Sequence, residues 1–161
     1  MPPMSSDPAA ILTSLTSFPA LLAPAFAADP AALARPYAPG KWTGRQMLAH
    51  LVDTEAVINE RLRRFAAEAQ PLVLPFDPDR WTAAFPADRR DLAALQRRFV
   101  AAREDSVHLL SHLDAAGWAK SGVHGVRGLL TIAQVAAHAD WHARHHLAQI
   151  EAAIAGTTWT A

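Results

Sequence analysis

The stretch "LTIAQVAAHADWHARHHLAQIE", residues 130 to 151, decides the fold of this chain. Thr131 is placed to cap a helix, Gln134 to reach back to the Thr131 amide, and Leu130 and Val135 to staple the entry from either side. Ile132, Val135, Ala139, Ala143, Ile150 and Ile154 then recur at helical spacing and define one inward arc. The same opening occurs earlier, in "WTGRQMLAH", residues 42 to 50: Thr43 caps, Gln46 reaches back, and Trp42 and Met47 form the staple. Each threonine is followed seven residues later by a histidine, His50 and His138, so the two lie at equivalent depths along their helices. The likeness is too short to establish a duplication.

Outward from these two helices the pattern stays helical. A helix of roughly residues 43 to 67 buries Met47, Leu51, Ile58, Leu62 and Phe65. All twelve prolines fall at or before Pro86, which leaves the rest of the chain able to form long helices. A third helix is expected from about Asp88 to Leu113, with Leu92, Leu95, Phe99, Leu109 and Leu113 inward and an arginine-rich outer face. Residues 7 to 28 predict a helix interrupted or restarted near Pro19, opened by Asp7 and Pro8, with Phe18, Leu21, Leu22 and Phe26 as its stripe. "DPAALARPYAPGK" supplies at most one short helical piece, and Tyr37 within it has no assigned role. "QPLVLPFDPDRWTAAFPAD", residues 70 to 88, reads as a proline-punctuated loop with one short helix after Asp77, and "DAAGWAKSGVHGVRG" as a turn-rich loop. The fold class expected is all-α.

A length of 161 residues suits one domain over 1–161. Fifteen basic residues balance fifteen acidic ones, so no global field draws the protein to nucleic acid or to an anionic membrane surface. The absence of cysteine excludes disulfides, thiolate zinc sites and a cysteine nucleophile. The first thirty residues are apolar but lack a basic leader segment, and prolines break them. A soluble, cytoplasmic protein with no nucleic acid and no membrane partner is therefore expected.

Four of the eight histidines, His138, His142, His145 and His146, lie in the closing helix. Residues four apart project from one face about a turn apart, so His138 with His142, or His142 with His146, are spaced to share a metal ion. At roughly 100° per residue, His146 falls inside the inward arc and His142 at its edge. His138 and His145 lie further toward solvent, which makes His142 and His146 the inner pair. A third ligand has to come from another helix. His50, alone among histidines on the second long helix, sits on the flank of that helix's apolar stripe. Three neutral imidazoles with the remaining positions left to water make an open site, able to polarise a substrate or lower the pKa of bound water.

The other candidates have plainer readings. His145 faces solvent or stands behind a ligand, and His138 packs at the helix surface. His108 and His112 sit near the end of the third helix, where its dipole accounts for them, and His124 lies in a loop. Asp53, three residues after His50, is placed to orient that imidazole; a solvated surface acid is the simpler reading. Glu55 lies closer to the apolar stripe, where it would satisfy a buried polar partner. No HExxH is present, so a zincin-type protease is not supported.

Two segments carry a family resemblance: "APGKWTGRQMLAHLVDTE", residues 38 to 55, and "GLLTIAQVAAHADWHARHHLAQIE", residues 128 to 151, with its HxxHHxxQI ending. In their order and spacing, from about residue 15 to residue 154, they resemble the DinB/YfiT-like metalloproteins. The resemblance implies a four-helix bundle of up-down-down-up type, with a long crossover and an irregular loop between the second and third helices. It implies a divalent metal, nickel or zinc, held by one histidine of the second helix and two of the fourth, here His50, His142 and His146, with water completing the coordination. It also implies a homodimer. Relatives of this kind include transferases and isomerases that use a low-molecular-weight thiol, and proteins described as metal-dependent hydrolases. The first functional expectation is a thiol S-transferase acting on a small electrophile, its pocket shaped by "PLVLPFDPDRW", residues 71 to 81. A metal-dependent hydrolase and a non-catalytic dimeric metal-binding stress or interaction protein are the alternatives. The proline-bearing first helix departs from the family pattern.

Overall fold

Asp7 accepts hydrogen bonds from the amides of Ala9 and Ala10, and Pro8 fills the first turn; together they open α1, Pro8–Phe26. The computed structural model describes residues 6–160, so the outermost ends of the expected 1–161 domain lie outside the described residues. Helix α1 continues through Pro19 and Pro24 without a break, and the interruption expected near Pro19 does not occur. An interior proline costs about 3 kcal/mol. Ile11, Leu15, Phe18, Leu22 and Phe26 are buried on both sides of Pro19, and a fully buried side chain of this kind contributes about 1.5–3 kcal/mol. Tertiary burial thus outweighs the local penalty. Leu21, expected inward, is instead 48% exposed.

After the short α2, Pro30–Leu33, comes α3, Gly44–Ala67, whose Thr43–Gln46 capping box is complete. The proline-punctuated segment that follows holds β1, Leu72–Val73, and α4, Pro78–Ala84. Helix α5, Leu92–Ser111, starts later than expected because Asp91, not Asp88, caps it through the Ala94 amide. Its inward face also differs: Leu110, Arg103 and Ser106 are buried, whereas Leu109 and Leu113 are half-buried. The expected loop at residues 114–128 contains α6, Ala115–Ala119, and a hairpin of β2, Ser121–His124, and β3, Gly128–Thr131. Strand β1 pairs parallel to β2, Leu72 opposite Val123, so a small three-stranded sheet accompanies the helices and the fold is not purely α. Gly122 lets this sheet lie on α3, since a Cβ there would run into the Phe65 ring. Helix α7, Ile132–Ala155, opens with the second capping box and ends at Gly156, φ 70°.

The four long helices form a bundle in which α1 and α3 each pack on both α5 and α7. One core cluster joins Ile11 and Leu15 of α1, Ile58, Leu62 and Phe65 of α3, Leu110 of α5, and Ile132, Val135 and Ala139 of α7. The other joins Phe18 and Leu22, Met47 and Leu51, Leu95 and Phe99, and Ala143 and Ile150. Helix α1 is long and apolar enough to cross a membrane by length and composition alone; in this structure its apolar face lies in both clusters. A buried ion pair crosses the bundle between α3 and α5. Arg103, expected on the outer face of α5, donates from Nε and Nη2 to the two Glu55 carboxylate oxygens, both at 2.7 Å. Its guanidinium lies against the Phe18 and Phe99 rings, 5.5 and 5.2 Å from their centroids. Glu55 therefore has the buried polar partner that its place beside the stripe suggested.

Candidate metal centre

Helices α3 and α7 pack on each other through their buried stripes, and this sets the direction in which the histidines beside those stripes project. His50 of α3 and His142 of α7 meet Nε2 to Nε2 at 3.1 Å. His146 lies one turn beyond His142, and one ring nitrogen from each of the three falls within 4.8 Å of the other two. The ring centroids are 5.1 Å (His50–His142), 4.9 Å (His50–His146) and 4.5 Å (His142–His146) apart. The structure thus brings together the three histidines singled out in the sequence.

Gln149 stands behind them. Its Oε1 lies 2.7 Å from His146 Nδ1 and its Nε2 lies 3.2 Å from His145 Nε2. The amide oxygen can only accept, so His146 carries its proton on Nδ1 and turns a bare Nε2 lone pair inward. In its hydrogen bonds His145 therefore reaches the cluster only through Gln149. Its ring stacks on Trp141 at 5.0 Å and meets Trp159 edge-on at 4.8 Å, and Trp159 packs against Tyr37 in turn. The Thr54 hydroxyl lies 3.4 Å from the His50 ring nitrogens. Gln149 entered the sequence reading only as the glutamine of HxxHHxxQI, with no role assigned, and Thr54 not at all, although helical spacing was available as a signal: Gln149 follows His146 by three residues and Thr54 follows His50 by four.

Burial keeps the cluster neutral. It lowers His50 to about 4, against weak opposition from the Asp53 and Asp79 charges. For His146, burial and then His50 lower the pKa to about 3, with the Gln149 hydrogen bond opposing. His142 falls lowest, to about 2, by burial and then by the surrounding histidines. Neutral imidazoles are the form that binds a metal.

The three rings open into a cleft of about 470 Å³ walled by Trp42, Phe76, Pro75 and Trp141. Phe76 and Pro75 come from the proline-punctuated segment, and the Trp42 ring lies 5.0 Å from His50. His138, expected at the surface or in helix packing, is half-buried and lines this cleft, with no hydrogen-bond partner for its buried Nδ1 among the described residues. Asp53 is half-buried, and Arg90 clamps both its oxygens, at 2.7 and 2.8 Å, so it reaches His50 through its charge and does not orient the ring. His124 ends β2 as a buried residue, not a loop one. His108, in the last turn of α5, and His112, which caps its end, are exposed and their rings meet edge-on.

A helical bundle that turns three imidazoles inward between two of its long helices is a class of fold and site. Residues 14–150 match the DinB superfamily, and the chain belongs to it. Over 126 residues it is 28% identical to a protein of Oceanobacillus iheyensis named "Putative metal-dependent hydrolase", covering 78% of this chain and 72% of that protein. A Bacillus mycoides protein of the same description is 29% identical over 122 residues, 76% of this chain and 70% of its own. Among solved structures, YfiT from Bacillus subtilis, described as a probable metal-dependent hydrolase with an unusual four-helix bundle topology, superposes with a TM-score of 0.88. That alignment covers 99% of this chain and 93% of YfiT at 22% identity, and it shows a shared fold.

Proposed function

We propose that His50, His142 and His146 hold one divalent cation, nickel or zinc, and that the chain is a metal-dependent enzyme acting on a small electrophile with a low-molecular-weight thiol as nucleophile. The observation that carries this reading is the convergence of three neutral ring nitrogens within 4.8 Å. Imidazoles facing one another at this range have too few protons to satisfy every lone pair, and a cation that accepts nitrogen donors fits the donor set. A cation held there supplies Lewis acidity, which lowers the pKa of a thiol or a water in the site. Gln149 holds the His146 proton away from the cluster, and the Trp42 and Phe76 rings wall the cleft beside His50.

The lining favours the thiol. Among the described residues no Asp or Glu lines the cleft. A thiol, with an ordinary pKa of about 8.5, needs far less help to ionise than water at about 15.7. A site without a lining carboxylate base suits the easier proton loss. The hydrolase reading draws its support from the descriptions of the relatives. Bundle order is part of the same reading: the start of α1 shares a core cluster with the ends of α3 and α5 and the start of α7, which supports an up-down-down-up arrangement with residues 68–91 as the crossover.

Elemental analysis of protein purified without an affinity tag is expected to find a single divalent metal per chain, and His142→Ala to lose it. A panel of thiols with alkylating electrophiles, run beside simple esters and amides, is expected to turn over with thiol only. Failure of nickel and zinc alike to bind on reconstitution would sink the metal assignment. Ester hydrolysis without thiol would replace the transferase with the hydrolase. If chelation lowers the melting temperature and no substrate turns over, the cation is a clamp between helices.

A further inference from the structure

The cleft beside the histidines continues into a second compartment of about 430 Å³, and Ile58, Arg61, His124, Arg127, His138 and Trp141 line both. Arg61 is half-buried on α3, and Arg127 is exposed on the turn joining β2 to β3. Of the other arginines, Arg63, Arg64, Arg80, Arg90, Arg103 and Arg144 pair with carboxylates, while Arg35, Arg45, Arg89, Arg97 and Arg98 line neither compartment. Among the described residues neither Arg61 nor Arg127 forms an ion pair, and no Asp or Glu lines either compartment. The Arg61 side chain gives one hydrogen bond, from Nη2 to the Leu74 carbonyl at 2.9 Å, which steadies the guanidinium and leaves its remaining N–H groups for another acceptor.

Two cations edging one partly enclosed space that no carboxylate lines make a place where an anion is favoured. Burial first, and then the Arg127 charge, hold the Arg61 guanidinium below its ordinary value, with the Glu60 charge opposing. The turn carrying Arg127 is held in place by His124, whose Nδ1 accepts from the amides of Val126 and Arg127 at 3.2 and 3.3 Å. The other walls are mostly apolar, Phe65, Val73, Leu130 and Val135, with Gln134 as one further polar group. Trp141 lies flat between the His138 and His145 rings, at 5.7 and 5.0 Å, which fixes its orientation as a wall. An apolar chamber with a pair of guanidiniums at its edge matches a ligand with an apolar body and one planar anionic end.

We propose that this second compartment is a carboxylate subsite, in which Arg61 and Arg127 hold the carboxylate of a small organic acid whose apolar body lies along Trp141. Under the metal-enzyme reading above, on which this last step rests, the opposite end of the same molecule reaches the histidine cluster. The substrate class is then a carboxylic acid bearing its reactive group at a distance from the carboxylate.

The test compares 3-phenylpropionate with the neutral 3-phenylpropionamide, by calorimetry and tryptophan fluorescence at constant ionic strength, on chelator-stripped and zinc-loaded protein. The stripped wild type is expected to bind the carboxylate at least about tenfold more tightly, since a charged hydrogen-bonded pair gives that margin. Arg61→Gln and Arg127→Gln are each expected to remove most of the preference and to leave amide binding alone. Should Arg61→Gln fail to fold, Arg127→Gln on its exposed turn carries the test. The proposal is overturned if the wild type does not discriminate, if the folded glutamine variants keep the preference, or if the preference appears only with zinc present. A preference that persists in protein unable to bind any metal would remove the metal reading and leave this subsite standing.

Discussion

Two buried polar clusters branch from α3, and they are built in opposite ways. Glu55 and Arg103 close on each other with two bonds of 2.7 Å, cancel their charges and are covered by phenyl rings. His50, His142 and His146 carry no charge, point nitrogens at one another and open onto a cleft. Five residues separate His50 from Glu55, which places them about 140° apart around the helix, one toward α7 and the other toward α5. The first cluster completes its hydrogen bonding almost entirely from within the chain and so holds three helices together. The second turns ring nitrogens toward an open cleft and, under the proposed reading, toward a cation. One helix thus carries a polar cluster matched within the chain and one that faces outward.

Acid separates the two most sharply. Each histidine of the open cluster is less basic in the folded chain than its ordinary value of 6.5, lowered to about 4, 3 and 2 for His50, His146 and His142. As pH falls the unfolded chain therefore takes up protons first, so the stability these groups contribute is complete above about pH 6.5 and is lost as pH drops toward 4 and below. Melting of metal-stripped protein at pH 7.5, 6 and 5 is expected to show a loss on the order of several kcal/mol by pH 5. Zinc-loaded protein should lose less, because protons must then compete with the metal. Equal acid sensitivity in a His142→Ala, His146→Ala double variant would show that other groups dominate.

Next in size is the closed cluster. Arg103→Met leaves the Glu55 carboxylate buried alone and is expected to cost about 3–5 kcal/mol, with the Glu55→Leu, Arg103→Met pair recovering much of it. Denaturant titration measures both. Metal affinity of the folded variant should not change. An Arg103→Met protein that keeps its stability and loses its metal would break the comparison outright.

Gln149→Leu probes the open cluster more gently. It removes the acceptor that keeps the His146 proton outward, and outer partners of this kind are worth about 10–100-fold in metal affinity. Competition with a chromogenic chelator is the measurement. Metal-free stability should move little, because a buried leucine replaces the apolar area. An affinity indistinguishable from wild type would mean that His146 is oriented by packing alone.

Much of this was legible before any coordinates. The two threonine openings gave α3 and α7 their starts, and the apolar arc of α7 separated His142 and His146 from His145. Three things were hidden, each for a physical reason. Helical continuity at Pro19 depends on burial by other helices, which local propensity does not record. The sheet depends on Leu72 lying opposite Val123, a pairing distant in sequence between strands too short to show alternation. Arg103 read as surface because a charged side chain is rarely fully buried, and only the meeting of α3 with α5 supplies its acid. Asp53 was misread for the same kind of reason, since its partner Arg90 precedes α5.

The smallest effect tests how the open cluster is delivered. Thr43 caps α3 nearly two turns before His50, and loss of such a cap costs about 1 kcal/mol. Fraying from a missing cap is confined to the first turn, while Met47, Leu48 and Leu51 anchor the helix on either side of His50. Thr43→Ala is therefore expected to lower the denaturation midpoint slightly and to leave the chelator-competition curve where it was. If the variant instead loses metal as Gln149→Leu does, His50 is held by its helix start and not by the core beneath it. The contrast between a rigid closed cluster and a rigid open one would then become a contrast between a fixed pair and a mobile ligand.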